Sequence, residues 1–336
     1  MDGFSFYIFS SFSPIFVTDV KNSIIRLLLL PDLLIAGIFL FSQLFDPKIF
    51  RLLAGFFMTI CIIGLGLIGG SVSLRLRQEW KGLHIVGFDC SENHAQKALH
   101  LELVHEILPL AEAVTRATLI IIAIPVDECI RILPRVLDLA AGKTVMDTGS
   151  TKGPVCLTVM NHPNRECFVA THPMWGTEYA GPDAARADSF SGKAAVICER
   201  ERSGKDCLVL VEKLYKALGM HLVNMSPKEH DIHTAYISHI SHITSFALAN
   251  TVLQKEKEDK NIFELASGGF ESTVRLAKSK GEMWVPILLQ NREHILDVLQ
   301  EHIDQLNLFK GCLEEENPEK LKALISRANS ISRVIK

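Results

Sequence analysis

The chain has 336 residues, enough for two domains, with 48% hydrophobic and 22% charged residues and a formal net charge of −3. That balance, without any basic stripe, excludes a protein held to nucleic acid by charge. Eight scattered cysteines with no Cys-x-x-Cys pair argue against structural zinc and a disulfide framework, and suit a reducing cytoplasm.

Residues 1–57 read unlike the rest, being rich in Phe, Ile, Leu and Ser with no lasting period. Arg26, Pro31 and Asp32 interrupt their most apolar part. The uncharged remainder, Leu33 to Phe45, is shorter than the ~20 residues of a membrane-crossing helix. No basic segment opens the chain, and no small-residue cleavage site follows the apolar run. The expectation is an over-extended reading frame outside the fold, with the functional protein starting at Met58. A peripheral membrane anchor is the alternative.

From Thr59 the pattern alternates strand and helix, as a doubly wound α/β sheet requires. The apolar run Thr59–Ile63 feeds Gly64-Leu-Gly66-Leu-Ile-Gly69, and a helical pattern continues through Val72, Leu74 and Leu76. A dinucleotide pyrophosphate needs this arrangement. Gly64 permits the tight turn, Gly66 lets the backbone approach phosphate, and Gly69 lets helix and strand pack closely. The helix N-terminus offers N–H groups and a partial positive charge to the anion. A second strand, His84 to Phe88, ends at Asp89, 20 residues beyond Gly69. A carboxylate there accepts from a ribose 2′-OH and repels a 2′-phosphate, which favours NAD over NADP. The wholly apolar Leu119–Ile124 is a buried parallel strand closed by Pro125, and Asp127 is placed to cap the next helix. Cofactor contacts are therefore expected from Gly64, Leu65, Gly66, Leu67, Ile68 and Gly69, with Asp89 and Pro125 beside them.

Further strands are expected at Thr144–Met146, Phe168–Thr171, Ala194–Cys198 and His221–Val223. Ligands of such sheets bind at the carboxyl ends of strands, which directs attention to Ser150 and His172. A histidine there can take a substrate hydroxyl proton while hydride leaves the same carbon, and a serine can orient its ring. From Ser226-Pro227-x-Glu229, a good helix start, the chain turns to long helices. Leu288, Ile295, Leu299, Ile303 and Leu306 form one stripe of the kind that buries against a second subunit. The division expected is a leader at 1–57, a Rossmann-type nucleotide domain at 58–225 and a helical dimerisation and substrate domain at 226–336.

Five blocks carry a resemblance. They are Asp147-Thr-Gly-Ser150-Thr-Lys152, His172-Pro-Met-Trp-Gly176-Thr-Glu178, His230-Asp231-x-x-x-Ala235-x-x-Ser238-His239-x-x-His242, Ser267-Gly-Gly-Phe270-x-x-x-x-Arg275-x-Ala277, and Trp284-x-x-Ile287-x-x-x-Asn291. In this order they resemble the prephenate/arogenate dehydrogenases of tyrosine biosynthesis. The resemblance implies oxidative decarboxylation of a cyclohexadienol, with His172 as base, Ser150 holding it, and Thr177, His230, His242 and Arg275 binding substrate. A planar guanidinium suits a carboxylate. Prephenate is the expected substrate, with arogenate the alternative; a 3-hydroxyacid dehydrogenase and a non-catalytic NAD-sensing module are more remote. Trp175 stands where a small residue is expected, Glu271-Ser272 where a basic residue and Asp are, and Val285-Pro286 where an acid is. His230 and His239, at about 100° per residue, fall on opposite faces of one helix, so the histidine cluster is not read as a metal site.

Overall fold

The apolar run after Met58 has bulky side chains that alternate between two buried faces, and it forms the central strand β1 (Thr59–Ile63). The computed structural model describes residues 58–258 and 261–334. Expectations for residues 1–57 lie outside these. Seven more strands join β1: β2 (His84–Phe88), β3 (Glu106–Ile107), β4 (Leu119–Ile122), β5 (Thr144–Asp147), β6 (Phe168–Pro173), β7 (Ala194–Cys198) and β8 (His221–Met225). The order is β3-β2-β1-β4-β5-β6-β7-β8. Strands β1 to β6 are parallel; β7 runs antiparallel to β6 and parallel to β8.

Helices cover both faces, as a mostly parallel sheet demands. Ile60 and Ile62 pack in one layer with Val72 and Leu76 of α1 (Leu67–Glu79), while Cys61 and Ile63 pack in the other with Val114 of α3 (Leu110–Arg116) and Leu133 of α4 (Val126–Leu139). Helix α2 (Glu92–His100) opens on Ser91, whose side chain accepts from His94 N–H. Two more helices of this region are α5 (Gly153–Thr158) and α6 (Lys205–Ala217). The strand order reverses between β1 and β4, and a crevice at such a switch point is where doubly wound sheets bind ligands. One expectation is corrected here. Asp127 does not cap α4; Pro125 stands at the N-cap, and Asp127 lies in the first turn beside the helix's positive end.

The helical region begins with α7 (Pro227–Thr234), where Ser226 and Glu229 form a reciprocal capping box. A π-helical turn, Ala235–His239, joins it to α8 (Ile240–Glu256). Then come α9 (Gly268–Val274), a 3₁₀ turn Arg275–Lys278, α10 (Gly281–Gln290), α11 (Arg292–Glu314) and α12 (Pro318–Asn329). The sequence stripe splits physically. Ile295 is buried near Leu288, whereas Ile303 and Leu306 are 40% and 56% exposed. Among the described residues no helix is long and apolar enough to cross a membrane.

Candidate active site

At the switch point the glycine turn has the shape its sequence demands. Gly64 lies at φ +93, and a Cβ on it would overlap Ala123 O; a Cβ on Gly69 would overlap Gly64 O. The turn thus admits no side chain at either place, and α1 presses directly on β1. Gly66 is the N-cap of α1 and supplies no side-chain cap, so the first-turn amides have no intrahelical acceptor. Leu67 and Ile68 are half-buried beside them. Free amides at the positive end of a helix are the groups that would hold a pyrophosphate here. Asp89 braces the turn: its carboxylate accepts from Leu65 N–H and Ser91 N–H, both at 2.9 Å. Spare lone pairs on each oxygen remain for a ribose hydroxyl. Leu65 requires a correction, since its side chain is fully buried in the core and its N–H is committed to Asp89.

A strap after β6 passes over this turn. Arg186 N–H donates to Ser71 Oγ at 2.8 Å, and Lys97 pairs with Asp183. Trp175 turns edge-on to Phe190 with ring centroids 5.0 Å apart, so the bulky indole packs into the core rather than crowding a pocket. Glu178 on the same strap reaches Arg275 at 2.7 Å.

The chemical centre lies at the ends of β5 and β6. Asp147, fully buried, accepts from Gly149 N–H at 2.9 Å and Thr171 N–H at 3.0 Å, and pairs with the buried ammonium of Lys152. These bonds shape the turn that carries Ser150 and tie β5 to β6. His172, half-buried, stands beside that turn. Its Nδ1 lies 2.8 Å from His230 Nε2. Among the described residues no hydrogen bond joins Ser150 to His172; the imidazole's partner is His230. His230 needs correcting too: expected against substrate, it is fully buried behind His172, with Nδ1 2.8 Å from Asp231 Oδ1. Burial first, then the neighbouring His230 and the Lys152 ammonium, hold His172 well below the ordinary histidine value of 6.5.

On the helical side, Ser245 anchors the corner that carries Arg275. Its Oγ accepts from Ala277 N–H at 3.0 Å and donates to Thr273 O at 3.1 Å. His242 stacks on Trp284 with centroids 3.4 Å apart and donates from Nδ1 to Ser238 O at 3.1 Å. Thr177 Oγ1 accepts from Tyr179 N–H at 3.3 Å, on the strap. Glu271 points away to the solvent, 3.8 Å from Lys278. The opposite-faces reading of His230 and His239 also fails. One extra residue in a π turn rotates every later side chain by about 100°, and both histidines are buried, His239 beside Asn291 and His230 between His172 and Asp231. Asn291 Nδ2 donates to Asp231 O at 2.6 Å and lies 3.1 Å from His239 Nδ1. Among the described residues no group of three His, Cys, Asp or Glu side chains is placed to hold a metal.

The chain matches two family models, "Prephenate dehydrogenase, nucleotide-binding domain" over residues 72–224 and "Prephenate dehydrogenase, dimerization domain" over residues 226–327. It is 33% identical to a prephenate dehydrogenase of Bacillus subtilis over 267 residues, 78% of this chain and 72% of the relative. It belongs to the prephenate dehydrogenase family. A cyclohexadienyl dehydrogenase of Zymomonas mobilis is 28% identical over 79% of this chain and 92% of its own. Among solved structures, prephenate dehydrogenase from A. aeolicus in complex with hydroxyphenyl propionate and NAD+ superposes with a TM-score of 0.73. That pair shares 26% identity over 82% of this chain and 98% of the other.

Several residues of the site carry little sequence signal of their role. Asp231, Glu178, Trp284 and Asn291 all stand inside the five blocks, and only the fold shows what they touch. The adjacency of His230 and Asp231 was the one available signal, an acid next to a histidine just after a helix start.

Proposed function

We propose that this chain catalyses the NAD-dependent oxidative decarboxylation of prephenate to 4-hydroxyphenylpyruvate. The observation that carries the reading is His172. It is a half-buried imidazole at the end of β6, beside the dinucleotide crevice, held at Nδ1 and leaving Nε2 without a partner among the described residues. Nε2 takes the proton of the ring C4 hydroxyl. Bound in the crevice, the nicotinamide would accept the C4 hydride as the ring carboxylate leaves as CO2. Ser150, on the turn beside His172, orients the same hydroxyl. Arg275 exchanges Glu178 for a substrate carboxylate, with His242 and Thr177 on the same side.

Arogenate remains the alternative substrate, differing by an ammonium where prephenate has a keto group. Glu271, the residue able to favour that ammonium from its place in the block, is exposed and paired with Lys278, which supports prephenate. Initial rates of NADH formation with each compound decide between them. A homodimer through the helical region belongs to the proposal, supported by the exposed Ile303 and Leu306 on α11. Eight free cysteines suit the reducing cytoplasm in which we place it.

The carboxylate of Asp89 opposes a 2′-phosphate, so kcat/KM for NAD exceeds that for NADP by about tenfold or more, and Asp89→Asn narrows the gap. Equal turnover of both cofactors at limiting concentration contradicts the role of Asp89. A second expectation concerns pH. A base must be neutral, and His172 titrates well below 6.5. Activity is therefore level through neutral pH and falls only as pH drops below the ordinary histidine range. An acid limb of kcat/KM centred at or above 6.5 excludes His172 as the group observed.

A further inference from the structure

Behind His172 stands a line of polar groups that solvent does not reach. His172 Nδ1 meets His230 Nε2, and His230 Nδ1 meets Asp231 Oδ1, each at 2.8 Å. Asp231 in turn accepts Lys152 N–H at Oδ1 and Gly153 N–H at Oδ2, again at 2.8 Å. His230 is fully buried and Asp231 nearly so.

The hydrogen inventory allows one direction along this line. Burial opposes a charge on Asp231, but the His230 hydrogen bond and the two amides together hold its carboxyl below the usual range. An ionised carboxylate only accepts, so His230 Nδ1 carries the hydrogen. Burial keeps His230 neutral, which leaves its Nε2 a bare acceptor. A bare acceptor needs a donor opposite, so His172 carries its hydrogen on Nδ1. The reverse arrangement would set a lone pair of His230 against the carboxylate, with nothing between them. The geometry points to His230 and Asp231 as positioning residues that lock His172 in the Nδ1–H tautomer and leave Nε2 free to take the substrate hydroxyl proton. This rests on the reading of His172 as the base. The proton balance closes over the turnover: one proton moves from the hydroxyl oxygen to His172 Nε2 as hydride leaves C4, the imidazolium keeps its Nδ1–H on His230, and the same proton returns from Nε2 to the phenolate oxygen left by loss of CO2. The positive charge is then separated from the Asp231 carboxylate by one ring, which stabilises it as it forms.

The line also shows what can replace His230. The amide of a glutamine offers an oxygen toward His172 and an N–H toward Asp231, the same direction of donation. Leucine offers neither, and Asp231→Asn can present a donor to His230 and reverse the line. Each variant is assayed with NAD and prephenate at saturation, with NAD affinity and melting temperature measured alongside. His230→Leu and Asp231→Asn lose roughly a hundredfold or more in kcat, with KM for prephenate and NAD affinity within about threefold of the parent. His230→Gln stays within about tenfold of the parent. If His230→Gln is as poor as His230→Leu while both remain folded, the hydrogen-bond direction is not what matters and the proposal fails. Should the variants unfold, isotope-labelled histidine in the unaltered protein gives the answer by nitrogen NMR. Nδ1 of His172 is protonated and Nε2 bare at neutral pH, and the opposite tautomer overturns the proposal. A parallel His172→Asn variant separates the two readings. If His172→Asn is crippled but His230→Leu is not, the relay alone falls; if His172→Asn stays active, the assignment of the base falls.

Discussion

Replacing His172 with asparagine lowers kcat by roughly two to four orders of magnitude, the span that removal of a positioned general base costs. Asparagine is small enough for the site, and its amide can still meet His230, so the framework of β5, β6 and α7 survives. The dinucleotide cradle lies at Gly64, Gly66 and Gly69, on the turn after β1, and makes no use of the imidazole. NAD affinity by direct titration is accordingly unchanged while turnover collapses. A fall in NAD affinity that matches the loss of turnover would show instead that the substitution had disturbed the crevice.

Arg275→Ala raises KM for prephenate by ~10-fold or more, since a hydrogen bond to a charged group is worth roughly 1.5–3 kcal/mol. The Arg275 side chain is half exposed, so this figure belongs to the bound complex, where substrate excludes water, and not to the surface pair with Glu178. That pair gives a second, opposite expectation. Glu178 occupies Arg275 at 2.7 Å, and an incoming carboxylate must displace it. Glu178→Gln removes the competing charge and lowers KM, with kcat nearly unchanged. Steady-state kinetics on both variants check the sign as well as the size. A KM for Glu178→Gln that rises with that of Arg275→Ala would show the two acting together on substrate, not in competition.

The sheet was readable because its strands, apart from the two-residue edge strand β3, announce themselves locally. The apolar run Leu119–Ile124 reads as a buried parallel strand, and the strand it forms is Leu119–Ile122; Gly64 and Gly69 stand where a side chain cannot. The nucleotide crevice arises from the same local signals. What the sequence concealed were contacts between distant segments. Nothing local says that His230 lies behind His172, 58 residues away, or that Asp231 collects the amides of Lys152 and Gly153. The π turn at Ala235–His239 defeated the helical-wheel argument, because one irregular turn changes the face of every residue after it. Trp175 departs from expectation for a similar reason. Its size is legible in the sequence, but its direction, onto Phe190, depends on where the strap crosses the sheet.

The most direct test is a single turnover of prephenate on excess NAD-loaded protein, run for the parent chain and His172→Asn together. One NADH and one CO2 are expected for each 4-hydroxyphenylpyruvate formed, with the rate reduced about a hundredfold or more in the variant. Failure of the parent to form NADH from prephenate, or a variant within about tenfold of it, contradicts the account.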